Sequence, residues 1–384
     1  MPYYQRQGQI PHKRHTQFRD AAGKLRFEEL FSTRGFEGPY ALLYHETYPV
    51  EIDDITDGGR IDFEEWTIDT QQNRCMFTSD LKSSGDILTS RRVLVYNDDV
   101  TIGIANPDQS TSDFFRNGLC DEMLMVQHGS GRMQSPYGVI DYEDGDIFII
   151  PRGTTYSWHP DAGVAHRVIF MESRTPIVPP KKYFVTGGQL AEHSPFCERD
   201  FKTPVLPPPT IERGAYRIVT KMDKELTVYT VPNHPYDVVG WDGSLYPYAM
   251  NIRDFEPLTR RIHAMPDEQQ AFETGGAAVC CFVPRMADYH PDAIPSPPLH
   301  SNIDCDEVLF NLGGPLLGWG KGGLMTLHPR GLFHAAKIYE ESIGMKEFDG
   351  SALMIDCFKP LKLTNYAQKC ADPEYHLAWK KDRS

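Results

Sequence analysis

The sequence is short of several things, and each shortage removes a class of protein. No apolar run approaches the ~20 residues a helix needs to cross a bilayer. The opening residues "MPYYQRQGQIPHKRH" are polar and lack a signal-peptide core, so a cytoplasmic protein with no membrane partner is expected. Positive charge is in deficit: 39 Lys and Arg face 53 Asp and Glu, for a net charge of −14. A nucleic-acid partner would need a basic face, so none is expected. None of the eight cysteines forms a CxxC pair, which argues against a zinc ribbon or a dithiol redox motif. The adjacent Cys280 and Cys281 would point to opposite faces of a strand, and reduced structural thiols are the expectation.

Helical periodicity is equally scarce. "FRDAAGKLRFEELF" (18–31) and "DEQQAFETG" (267–275) are the best helical candidates. By contrast, "RRVLVYNDDVTIGIA" (91–105) and "YRIVTKMDKELTVYTV" (216–231) alternate with the strand period. The 31 glycines and 30 prolines cut the chain into short runs of this kind. An all-β protein with few short helices follows. The proline-rich stretch within 201–215 is the best boundary, dividing the chain into 1–200 and 216–384.

The two halves repeat each other. Gly323, Pro329, Gly331 and His334 spell G-x5-P-x-G-x2-H, and Gly145, Pro151, Gly153 and Tyr156 keep that spacing with Tyr in place of His. Upstream, His300, Asn302, Glu307 and Gly314 have the same frame as Phe115, Asn117, Glu122 and Gly129. Two four-point patterns in register mark a duplicated β module. These paired motifs resemble the signatures of the cupin superfamily. The resemblance implies a bicupin, two double-stranded β-helix (jelly-roll) barrels, with a degenerate metal site in the first.

His300 and Glu307 share one short segment, and His334 follows about one hairpin later. Two imidazoles and a carboxylate suit Fe(II) with positions left open. Asn302 stands where many cupins put another histidine, and an amide is a weak ligand, so three protein ligands are expected. His328, across a Pro-x-Gly turn from His334, is expected to flank the metal. A single histidine would ordinarily be a loop residue; here the first half keeps the Gly, Pro and Glu scaffold while losing the histidines, which separates scaffold from chemistry. Gly318, Gly320 and Gly323 spell G-x-G-x-x-G, but "LMTLHP" follows, strand-like and ended by proline, so a dinucleotide site is discounted.

A closer resemblance covers most of the chain. The blocks "HPYDVVGWDGSLYPYAMNIRDF" (234–255), "RRIHAMPDEQQAF" (260–272), "FVPRMADYHPDAIPSPPLHSN" (282–302) and "LHPRGLFH" (327–334) resemble the homogentisate 1,2-dioxygenase family, Fe(II) ring-cleaving bicupins. "MPYYQRQGQIPHKRHTQFRD" is similar to the start of its shorter bacterial members. The resemblance implies that His300, Glu307 and His334 bind Fe(2+). It makes His263 the acid/base beside the substrate hydroxyl, His328 a second histidine on the substrate side and Asn302 a pocket residue. It also implies a small aromatic substrate, O2 and a homo-oligomer. The chain departs from the family twice. Six residues, "SNIDCD", separate His300 from Glu307 where the family has five, so Asp306 competes as the carboxylate; Glu307 is preferred because Glu122 stands in register with it. The segment "VLFNLGGPLLGWGKGG" (308–323) replaces one that lines the family's substrate pocket. Oxygenation of a para-dihydroxylated aromatic such as homogentisate is therefore the first expectation. Another hydroquinone, an aminophenol or a naphthalenediol is the second, and a non-catalytic metal-binding bicupin the third.

Overall fold

The computed structural model describes residues 3–262, 269–294, 299–313, 323–335 and 345–380. Strand follows strand because β-rich runs alternate with tight turns. Arg92–Tyr96 and Val100–Ala105 form one antiparallel hairpin, and Arg213–Met222 and Glu225–Asn233 another. Both expected helices are strands instead. Leu25–Ser32 pairs with Phe18–Arg19 across a turn in which Asp20 Oδ1 accepts from the backbone N–H of Ala22 and Lys24, with Gly23 at φ 85°. An Asp that bonds its own following backbone, with Gly where φ must be positive, builds a hairpin turn that a helical count of apolar residues overlooks. Gln270–Glu273 likewise pairs with Ala277–Phe282 around a turn held by Thr274 Oγ1. Among the described residues the α-helix is Asn365–Lys369, capped by Thr364 Oγ1, and no helix is long and apolar enough to cross a membrane.

The strands build two barrels, as a bicupin should. A nine-stranded sheet containing Asp121–His128, Asp146–Ile150 and Arg167–Ser173 faces a seven-stranded sheet containing Phe114–Asn117, Gly131–Ser135 and Thr155–Pro160. Leu124, Phe148 and Phe170 from the first pack against Phe115, Met133 and Trp158 from the second and fill the interior. The second barrel is built on a six-stranded sheet with Ser351–Cys357, Asp306–Gly313 and Leu324–His328 at its centre.

Side-chain alternation then fixes what faces where. Val308, Phe310, Leu353 and Ile355 join Met123, Met125, Ile169 and Met171 in one core between the barrels. Leu309, Met354 and Cys280 point the other way, into the second barrel. Cys281 lies in the shared core, so the cysteine pair does split between two faces.

Hydrogen bonding runs straight through the expected linker at 201–215. Phe201–Lys202 pairs with Tyr248–Asn251, and Arg213–Met222 adds in parallel to Phe114–Asn117. In the other direction Arg74–Met76 extends the second barrel's sheet beside Leu324–His328, and Lys362–Thr364 joins Arg92–Tyr96. Each half lends strands to the other, which covers sheet edges that would otherwise stand open.

Candidate metal centre

Glu307 lies on the central strand Asp306–Gly313, directly across from His328 on one side and Asp356 on the other. It shares its face with Leu309, so its carboxylate enters the second barrel. His300 and His334 are brought together by an isolated antiparallel bridge, each donating its N–H to the other's carbonyl at 3.1 and 2.9 Å. Gly331, at φ 79°, closes the turn before His334 and donates to Asn302 O at 2.6 Å.

The result is one cluster. A nitrogen of His300, a nitrogen of His334 and an oxygen of Glu307 all lie within 4.8 Å of one another. Glu307 Oε2 is 3.5 Å from His300 Nε2 and 3.2 Å from His334 Nε2. Asn302 Nδ2 donates to the same oxygen at 3.1 Å, while Glu307 Oε1 meets His328 Nδ1 at 2.9 Å. His300 keeps 27% of its side chain exposed against 6% for Glu307 and 3% for His334, so the cluster opens on the His300 side. Burial pushes the Glu307 carboxyl up, but hydrogen bonds from His300, His328 and His334 hold it well below the usual carboxylate range. Burial lowers His328 against the pull of Glu307. Asp356 has a buried Oδ1 with no hydrogen-bond partner among the described residues, and burial with the Glu307 charge raises its carboxyl to about 7.

Asp306 is spent elsewhere. One residue along the strand, it points towards the core between the barrels, where Oδ1 accepts from Arg330 N at 3.0 Å and Nε at 2.9 Å, and Oδ2 accepts from Leu361 N at 2.7 Å. Strand parity therefore brings Glu307, and not Asp306, to the histidines. His263 and most of the replaced segment, 314–322, lie outside the described residues.

The first barrel repeats the scaffold down to single bonds. Asp121 Oδ1 accepts from Arg152 N and Nε, Oδ2 accepts from Ile177 N, and Gly153 N donates to Asn117 O at 2.8 Å. Phe115 pairs with Tyr156 as His300 does with His334. What differs is the centre. Glu122 Oε2 accepts from Tyr156 Oη at 2.9 Å, and Arg91 Nη1 donates to Glu122 at 2.6 Å and to Glu172, its cross-strand neighbour, at 2.7 Å. The buried Arg91 guanidinium is the cation against Glu122, and the buried Lys221 ammonium also pairs with Glu172. Nothing in the spacing of the motifs pointed to Arg91, nor to Tyr375, whose hydroxyl lies 3.2 Å from His328 Nε2.

The donor set of the second barrel fits a metal ion. His334 Nδ1 lies 3.2 Å from Leu332 O, and with its proton on Nδ1 the ring would offer the Nε2 lone pair to a metal in place of its hydrogen bond to Glu307. A neutral imidazole in that tautomer and a carboxylate are both donors of lone pairs that a metal ion can take up. The arrangement is a two-histidine, one-carboxylate set.

The family model for the homogentisate 1,2-dioxygenase N-terminal region matches residues 81–252. A "Putative dioxygenase" of Saccharolobus solfataricus is 36% identical over 99% of this chain and 99% of its own length. The chain belongs to the homogentisate 1,2-dioxygenase family. The homogentisate 1,2-dioxygenase of Nitrobacter hamburgensis is 32% identical over 36% of this chain, which spans 30% of that protein. That of Bradyrhizobium diazoefficiens is 29% identical over 38% of this chain and 31% of its own length. The chain is thus an enzyme of a dioxygenase family, whose members act with O2 on a small molecule. The matched range ends at Ile252, just past Tyr248–Asn251, a strand of the first barrel's nine-stranded sheet.

Proposed function

We propose that this member is an Fe(II)-dependent ring-cleaving dioxygenase acting on a para-dihydroxylated aromatic such as homogentisate. The convergence of His300, Glu307 and His334 within 4.8 Å, inside a barrel of a dioxygenase-family chain, carries this reading. In it these three residues hold Fe(II), which supplies the redox chemistry that lets O2 react with an aromatic ring. Asn302 and His328 keep the Glu307 carboxylate in one orientation by hydrogen bonding to its two oxygens. His300, on the open side, borders the route by which a planar ring reaches the site. His263 takes the proton from the substrate hydroxyl, a task suited to a histidine neutral near pH 7. On this reading residues 1–200 centre a structural barrel and 216–384 a catalytic one, each half lending strands to the other.

The departure at 308–323 and the partial coverage of the homogentisate dioxygenases favour a second substrate reading, in which the same centre opens another hydroquinone, an aminophenol or a naphthalenediol. Oxygen uptake by the iron-loaded protein over a panel of such rings separates the two. Uptake with homogentisate alone supports the first reading. Iron bound stoichiometrically without uptake on any ring would sink both and leave a non-catalytic bicupin.

A further inference from the structure

Resting on the reading that His300, Glu307 and His334 hold a metal, a second relation in the same barrel becomes informative. His328 is buried, and both its ring nitrogens are engaged inside the protein: Nδ1 with Glu307 Oε1 at 2.9 Å and Nε2 with Tyr375 Oη at 3.2 Å. A carboxylate only accepts hydrogen bonds, and a neutral imidazole carries one N–H. The proton must therefore sit on Nδ1, and Nε2 must accept from the Tyr375 hydroxyl. The chain of donors runs from Tyr375 O–H to His328, and from His328 Nδ1–H to Glu307.

Tyr375 is held firmly enough to impose that direction. It is 4% exposed and clusters with Cys75 and Leu324. Its ring lies near-parallel to His328, at 18° and 6.3 Å between centroids, with Trp379 packed against it at 5.2 Å. Trp379 Nε1 donates to Ala335 O, next to His334. Asp372 N donates to Cys75 O and Ala371 bridges Met76, so the segment is stapled to the strand that flanks Leu324–His328.

We propose that Tyr375 is a positioning residue of the metal centre: it fixes His328 in the tautomer that donates to Glu307, and acts on the metal site through that carboxylate. Partners that orient a metal ligand from outside typically change metal affinity about 10- to 100-fold when removed.

The test is titration of the full-length apoprotein with Co(II), read by its visible absorption, and with Fe(II) under anaerobic conditions. Tyr375→Phe is expected to weaken binding of both metals about 10- to 100-fold and to shift the Co(II) bands, with the thermal midpoint of the apoprotein retained. His328→Gln is expected to do the same, and Tyr375→Phe added to His328→Gln to cost nothing more, because the two changes break one chain. Equal affinity and an unshifted spectrum in Tyr375→Phe would overturn the relay while leaving the metal reading intact. Fully additive losses in the double variant would also overturn it, since a purely structural tyrosine would act independently of His328. A parent protein that takes up neither metal would overturn the metal reading itself.

Discussion

At the scale of single residues, two neighbouring carboxylates have opposite fates because successive side chains of a strand leave opposite faces. Asp306 holds Arg330 and two backbone amides in the core between the barrels, and Glu307 meets three histidines inside the second barrel. Glu307→Ala should therefore abolish bound metal with little change in folding. Asp306→Ala should keep the metal site but lose about 3 kcal/mol of stability, because it leaves a guanidinium and two N–H groups without their acceptor. Metal analysis beside urea denaturation of both variants checks this; loss of metal from Asp306→Ala alone would reverse the assignment. His334→Ala should bring metal content to near zero in the same measurement.

At the scale of elements, the strand Tyr40–His45 pairs with Leu25–Ser32 and with Val238–Gly243, and places His45 between two acids. His45 Nδ1 lies 2.6 Å from Asp237 and Nε2 3.0 Å from Glu29. Burial works against the charged ring, but the hydrogen bonds from Asp237 and Glu29 raise it from 6.5 to about 9. A histidine raised in the folded state stabilises fully below its unfolded value and loses that contribution as pH climbs through the folded one. The stability gap between the parent and His45→Gln should accordingly be widest below pH 6.5 and narrow as pH passes about 9. Urea midpoints of both proteins from pH 6 to 10 measure it, and a gap that widens with pH would refute the assignment. The hairpin at Asp20–Gly23 belongs to the same sheet, and only its turn chemistry, not its apolar spacing, distinguishes it from a helix.

At the scale of the whole molecule, duplication has been followed by divergence at the two centres. The first barrel keeps the Asp–Arg brace, the glycine turns and the inward Glu122, and holds Arg91 among Glu122, Glu172 and Tyr156. One metal per chain is therefore expected, not two. Arg91→Met should leave metal content unchanged and cost about 3 kcal/mol, since it leaves the buried Glu122 without its cation while Glu172 keeps Lys221. Metal stoichiometry and denaturant unfolding decide it; a second bound metal in the parent would contradict the role given to Arg91.

The β-rich alternation, the Gly-Pro-Gly turns and the repeat of His300, Asn302 and Glu307 against Phe115, Asn117 and Glu122 were legible in the chain itself, because period and spacing are local properties. So was the group of His300, Glu307 and His334, since hairpins of known length bring such residues close. Three matters needed the tertiary structure. Which of Asp306 and Glu307 turns inward depends on which face of the strand the second barrel buries. Arg91 and Tyr375 enter their centres from residues far from either motif, by packing that no spacing encodes. The exchange of Arg74–Met76 and Lys362–Thr364 between the halves depends on open sheet edges finding partners, and an edge exists only once the sheets have formed.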